Sequence, residues 1–358
     1  MKKLLALTTA LTGFAGAAAA QEVTVMGWGG AYTASQVEAY HKPFAEKTGI
    51  KVNSVDADNP ATPIKAQVEA NNVSIDVASL EIADAVRLCD EGQLVSFDFA
   101  SLPDGVDGSK AEADFIEGTL TECMIPTDIF SVVIAYDASK FPDAKPTTIA
   151  DFFDQEKFPG KRSVRKNAKT SLEMALMGDG VPAAEVYATL ETDEGVDRAF
   201  AKLDTIKKDT VFWEAGSQPP QLLADGEVVM AMAYNGRIFN AVQQEGKPFE
   251  IIWDGQVFEW EGWAIPKGAP NMEAALDFVK FSTSSEQLAK AAEYISYGPP
   301  RKSSASLVGN IQGKDVPMGP NLPTDPANMT NALGSSLDFW VDRDIELNER
   351  FNSWLAAN

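Results

Sequence analysis

The chain has 358 residues, 45% hydrophobic and 23% charged, which is ordinary for a folded protein and too long for a single core, so two lobes are expected. Its 52 acidic against 30 basic residues give a formal charge of −22, which excludes nucleic acid and an anionic membrane surface as partners, since both select basic patches. Diffuse surface acid of this kind serves solubility and does not by itself signal a cationic ligand.

Residues 1–20 begin with two lysines, continue with an apolar middle and end in Ala-x-Ala, the pattern of a cleaved secretory signal. The mature chain is expected to begin at Gln21. No cysteine lies at that boundary, so a lipid anchor is not expected. No later stretch approaches the roughly 18 apolar residues that span a bilayer, so no membrane insertion is expected, and the periplasm is the expected compartment. Cys89 and Cys123 are the only cysteines. In an oxidising compartment they read most simply as a disulfide, with two free thiols as the alternative.

Residues 23–26 read as a first strand running into Gly27-Trp28-Gly29-Gly30-Ala31-Tyr32-Thr33, a turn with glycine where the backbone must bend or be approached. Trp28 and Tyr32 at that strand end mark a ligand wall, with core packing as the competing reading. A helix is expected over 35–47, a strand over 50–55, a helix over 63–70 capped by Thr62, and a strand over 75–80 ending at Ser79 and Glu81. This strand and helix alternation predicts an α/β fold with parallel sheet. Residues 130–135 form an apolar β-branched run, and Ser131 is taken as the first crossing between lobes.

Further along, helices are expected over 149–153, 171–177 and 195–207, with a strand over 163–165. Trp213 ends a short apolar run. A Gly-Ser-Gln-Pro-Pro turn and a brief helix over 221–224 follow, then a strand over 228–234 that delivers Tyr234, Asn235, Gly236 and Arg237 at its end. Ligands of open α/β sheets collect at such ends. Residues 249–253 and 256–265 are two more apolar runs, the second carrying Glu259, Trp260, Glu261 and Trp263. Helices are expected over 271–281, 285–293 and 345–356. Trp340 and Trp354 in the tail are assigned to packing.

No G-x-G-x-x-G or P-loop spacing occurs, and no cofactor is expected. His41, the only histidine, is read as an exposed helical residue. No G-x-S-x-G elbow or H-E-x-x-H is present, so an enzyme is not expected. The seven tyrosines include no adjacent pair, and no metal site is expected.

The ordered set WGGAY at Trp28, FPGKR at Phe158, LEMALMGDGV at Leu172, WEAGSQP at Trp213, LLADGEVVMAMAYNGR at Leu222, GWAIPKGAPN at Gly262 and YGPPRKSSA at Tyr297 resembles the periplasmic solute-binding proteins of ABC importers in the spermidine/putrescine-binding family. The resemblance implies a two-lobe periplasmic binding protein fold of type II, each lobe a mostly parallel sheet flanked by helices. A hinge would join lobe 1, residues 22–131 plus 261–310, to lobe 2, residues 132–260 plus 311–358. It implies a monomer that closes on a small-molecule solute and delivers it to an ABC permease in the inner membrane. Trp28, Tyr32, Ser79, Glu81, Trp213, Tyr234, Arg237, Trp260, Glu261 and Trp263 are the implied ligand-binding positions.

One departure bears on the solute. Polyamine-binding members resemble one another in paired acids just ahead of the M-A-L helix, where this chain has Lys166, Asn167, Lys169 and Thr170. A long dication would leave one charge unpaired, costing several kcal/mol. Aromatic rings suit an onium or amine, and the Arg237 fork suits a carboxylate. A compact zwitterion such as dimethylsulfoniopropionate, a betaine or γ-aminobutyrate is the expected solute, and putrescine or spermidine the alternative.

Overall fold

The structure, a computed structural model, describes residues 21–357. The secretory signal expected at 1–20 lies outside the described residues. Among them, nine strands form one mixed sheet: β1 Glu22–Gly27, β2 Lys51–Asp56, β3 Val77–Glu81, β4 Ile125–Asp137, β5 Arg162–Arg165, β6 Thr210–Trp213, β7 Met230–Tyr234, β8 Phe249–Ala264 and β9 Leu333–Gly334. Their order is β2-β1-β3-β8-β4-β7-β5-β6, with β9 paired to β8.

The pairing directions divide this sheet. β1 lies parallel to β2 and β3, and β5 lies parallel to β6 and β7, so each end is a small parallel set. Between them β4 and β8 run antiparallel, β8 also pairing antiparallel with β3 and β4 with β7. β4 has 13 residues and β8 has 16. At about 3.3 Å per residue such strands reach roughly 40–50 Å, enough to belong to two lobes at once. Every residue of β4 is buried, which suits an apolar β-branched run covered on both faces.

The two apolar runs expected at 249–253 and 256–265 are therefore one strand with an interruption. Opposite the step from Val132 to Ile134, β8 passes from Val257 to Ile252 and extrudes the residues between. Gly255 makes this possible: its φ is +73°, and a Cβ there would lie 2.5 Å from Ile149 Cδ1. Hydrogen bonds fasten the middle of the pair. Ser131 Oγ donates to Gln256 Oε1 at 2.5 Å, the Ser131 amide donates to Asn235 Oδ1 at 3.0 Å, and Asn235 Nδ2 donates to the Ser296 carbonyl at 2.6 Å.

One parallel set is covered by a core containing Val23, Tyr40, Phe44, Ile125, Trp263 and Phe278, and the other by a core containing Val164, Leu172, Phe200, Trp213, Trp340 and Phe351. The terminal helix Leu337–Ala356 lies on the second core, with Phe351 against Phe200 at 6.2 Å, and touches the helix Ile82–Asp90 through Arg87 and Asp344 at 3.6 Å. It starts earlier than the 345–356 periodicity predicts, because Ser336 Oγ accepts from the Phe339 amide and caps it.

Other boundaries move for comparable reasons. The helix expected over 63–70 is Ala61–Glu69, with Asn59 Oδ1 rather than Thr62 accepting its first amide. Pro219 and Pro220 do not precede a helix but sit in the first turn of Gln218–Ala224, where a missing N–H costs no hydrogen bond. The first helix begins at Gly30 and passes through a π turn at Val37–His41. His41 is the clearest correction. It is buried edge-on to Phe278 rather than exposed, and burial lowers its pKa to about 4.

Cys89 and Cys123 are joined, with Cα atoms 5.8 Å apart, and tie the end of helix Ile82–Asp90 to the chain entering β4 across a separation of 34 residues. Loop-closure entropy assigns such a link roughly 3–4 kcal/mol. The Cys89→Ser/Cys123→Ser variant is expected to lose about that much in guanidinium unfolding, and the parent protein to lose the same on adding reductant.

Candidate functional site

The site forms where strand ends from both parallel sets face each other across the long pair. β1 ends at Gly27, Trp28 follows, and Gly29 and Gly30, with φ of +69° and +55°, turn the chain directly into a helix carrying Tyr32. On the other side β7 ends at Tyr234, and the helix Asn235–Gln243 begins at once, so Arg237 lies in its first turn rather than on a loop. Arg237 Nη1 donates to the Gly29 carbonyl at 2.6 Å and Nη2 to the Trp28 carbonyl at 3.1 Å. A Cβ on Gly30 would lie 2.7 Å from Nη1, so glycine there is what admits the guanidinium. Nε of Arg237 is buried without a partner.

Between these elements lies a narrow cavity. Five rings wall it: Trp28, Tyr32, Phe130, Tyr234 and Tyr297. Phe130 stands edge-on to Tyr234 at 5.5 Å, and Tyr32 tilts against Tyr297 at 5.9 Å. Gly216 allows Tyr234 its place, since a Cβ would meet that ring at 2.9 Å. Glu81, Glu261 and Arg237 supply charge, and the exposed Asp58 and Glu214 stand at the mouth.

The acids follow from strand register. Glu81 on β3 and Asp128 on β4 both lie directly opposite Glu261 on β8, and Glu259 is two residues back on the same face. All four are buried, between 2% and 8% exposed. Lys169 reaches this row from the turn after β5, its Nζ held by Glu81 and by Glu259 Oε1 at 2.9 Å, and Arg165 Nη1 is 3.4 Å from Glu81 Oε1. Burial alone would raise Glu81, but the Lys169 and Arg165 cations outweigh it and hold it at about 2. Burial pushes Glu259 up to about 7 against the pull of Lys169.

Asp128 and Glu261 form no salt bridge among the described residues. Asp128 accepts from Thr127 at 3.1 Å and from Tyr32 Oη at 3.2 Å, and its Oδ1 has no partner. Burial raises it to about 7 despite those bonds. Burial, then the Asp128 charge, pushes Glu261 well above the carboxylate range. At neutral pH the two retain a proton between them, as carboxylates sharing a dry site do.

Of the expected ligand positions, Trp28, Tyr32, Glu81, Tyr234, Arg237 and Glu261 line the cavity, and four do not. Ser79 is fully buried one step back, its Oγ 3.1 Å from Tyr32 Oη. Trp213 sits behind Tyr234 at 5.6 Å, and its Nε1 donates to the Met232 carbonyl at 3.0 Å. Trp260 alternates to the other face of β8, packed against the core that contains Leu80, Leu88 and Met124, and Trp263 is fully buried against Tyr40 and Phe278. Asp128, Phe130 and Tyr297 were missed. Asp128 and Phe130 share one face by strand alternation, a signal available once β4 is extended back to Ile125, whereas Tyr297 comes from an irregular loop without such a signal.

Residues 39–324 match the family described as bacterial extracellular solute-binding protein. The chain is 43% identical over 350 residues to a gamma-aminobutyric acid-binding protein of Pseudomonas aeruginosa, covering 97% of this chain and 95% of that one. It is 24% identical over 289 residues to the spermidine/putrescine-binding periplasmic protein of Escherichia coli K12, covering 78% and 79%. The fold is similar to that of a periplasmic binding protein from Agrobacterium tumefaciens R10 in complex with agropinic acid, at a TM-score of 0.82, 28% identity, and 94% and 99% coverage. These similar proteins bind solutes and are not enzymes, and the two-lobe architecture is theirs as well. By this match and by its fold, the chain belongs to the bacterial extracellular solute-binding proteins.

Proposed function

We propose that the cleft captures a compact zwitterion of the γ-aminobutyrate class, with the ammonium on Asp128 and Glu261 and the carboxylate on Arg237, and that an ABC permease in the inner membrane receives it. The observation that carries this reading is the meeting of opposite chemistries at one ring-walled cavity: Glu261, which forms no salt bridge among the described residues and has Asp128 directly opposite it in the sheet, and a guanidinium whose Nε has no partner. The relative named for gamma-aminobutyric acid supports the same class. A quaternary onium such as a betaine or dimethylsulfoniopropionate would use the rings alone and leave buried acceptors unpaired, which favours an ammonium with N–H groups. A diamine is disfavoured because Lys169 and Arg165 already occupy the remaining acids, Glu81 and Glu259.

Closure is proposed between lobe 1, residues 22–131 plus 261–310, and lobe 2, residues 132–260 plus 311–358. The hydrogen bonds around Ser131 and the extruded residues before Val257 mark the bending region of β4 and β8. Trp28 and Gly29 on one side and Arg237 on the other would separate on opening. A monomer carries every residue the cavity uses.

Two outcomes test the reading. In calorimetric titration γ-aminobutyrate should bind and putrescine should give no heat, and Arg237→Ala should weaken γ-aminobutyrate about 10- to 100-fold, as expected for a lost charge-assisted pair. Unaltered affinity in that variant would remove Arg237 from the site. The second outcome concerns pH. Burial pushes the facing Tyr32 and Tyr297 up and the cations beside Glu81 hold it near 2, so these do not titrate near neutrality, while Glu259, near 7 in the same row, is held by Lys169. An arriving ammonium must displace the proton held between Asp128, near 7, and Glu261, so binding releases protons and strengthens as pH rises towards and through about 7. Affinity should change by up to about tenfold per pH unit below that point, and calorimetry in buffers of different ionisation enthalpy should register the release. A flat profile from pH 5.5 to 8 would contradict it.

A further inference from the structure

Lys169 is 5% exposed, and its ammonium is shared by acids from two strands, Glu81 on β3 and Glu259 on β8 at 2.9 Å. The backbone around it is arranged for this placement. Asn167 Oδ1 accepts from the Lys169 amide at 2.8 Å, and Thr170 follows with φ of +69°, a conformation that a β-branched residue adopts only when its surroundings impose it. Glu81 also lines the solute cavity and lies directly opposite Glu261. A protein ammonium is thus fixed beside the position proposed for the ammonium of the solute.

We infer that Lys169 is a specificity-determining residue, a tethered ammonium that fills the second cation position of the cleft, so that a solute with one ammonium is accepted and a diamine refused. The inference rests on the amino-acid reading above and explains its selectivity. Of the four acids in the row, Glu81 and Glu259 are committed to Lys169, with Arg165 also on Glu81, which leaves Asp128 and Glu261 to receive one ammonium. The second ammonium of a diamine would be desolvated next to Lys169 with no acid left to pair it, and that repulsion acts against the wrong solute without adding a contact to the right one. Removal of the Lys169 charge frees Glu81 and Glu259 as a second acid pair, and Glu81 already faces the cavity.

The experiment is titration of the full protein, Lys169→Met and Lys169→Gln with γ-aminobutyrate and with putrescine, with thermal melting to confirm folding. Methionine removes the charge at similar length, and glutamine keeps a donor for the two acids. In either variant the ratio of putrescine to γ-aminobutyrate affinity should rise at least tenfold, with putrescine binding measurable where the parent shows none. Adding Glu259→Gln to the better variant should reverse the gain. Folded variants that still refuse putrescine overturn the inference, as does a parent protein that binds putrescine well. A liganded structure of the parent in which Lys169 has left Glu81 and Glu259 overturns it whatever the variants do. If the parent ignores γ-aminobutyrate yet the variants gain putrescine, the amino-acid reading falls and the role of Lys169 stands.

Discussion

A row of four buried carboxylates across β3, β8 and β4 is the constraint around which this molecule is arranged. Like charges directly opposite one another in a sheet are destabilising, and each ion taken from water costs several kcal/mol. The chain offsets this with Lys169 and Arg165, drawn from the far parallel set, and with protons that the acids at the other end of the row retain. Of the two acids left uncompensated, Glu261 lines a cavity walled by rings. In the proposed function, the binding site is the unbalanced remainder of an ionic network, and the solute would complete it.

The sheet makes such a row reachable from both sides. Because β4 and β8 pass continuously from one parallel set to the other, they hold Asp128, Glu259 and Glu261 alongside β3 of one set and within reach of Lys169 from the other. The helices that start directly at the ends of β1 and β7 then bring Tyr32 and Arg237 to the same place from opposite directions. Positioning is set by strand ends and helix starts, so it needs no long loop.

Much of this was legible in the sequence. Strand ends with glycine and aromatic residues indicated Trp28, Tyr32, Tyr234 and Arg237, and alternation of strand and helix indicated the two α/β halves. Indole content misled, because Trp213, Trp260 and Trp263 satisfy ordinary packing and their order in the chain does not reveal which face of a strand they occupy. Asp128 was hidden by reading β4 as six residues instead of 13. Lys169 was noticed only as an obstacle, since a pairing between β3 and the turn after β5 is a matter of tertiary distance, and no local pattern encodes it. His41 was misplaced because a π turn shifts the helical face by a fraction of a turn and carries the ring into the core.

The Arg237 guanidinium grips backbone carbonyls of Trp28 and Gly29, and no side chain of that strand end takes part in the grip. The fastening between the halves is consequently indifferent to which ring stands at residue 28, while the glycine at residue 30 must stay. The wall facing the solute is therefore free to vary in shape and polarity without loosening the clasp, which lets one scaffold be retuned to new cargo through single substitutions.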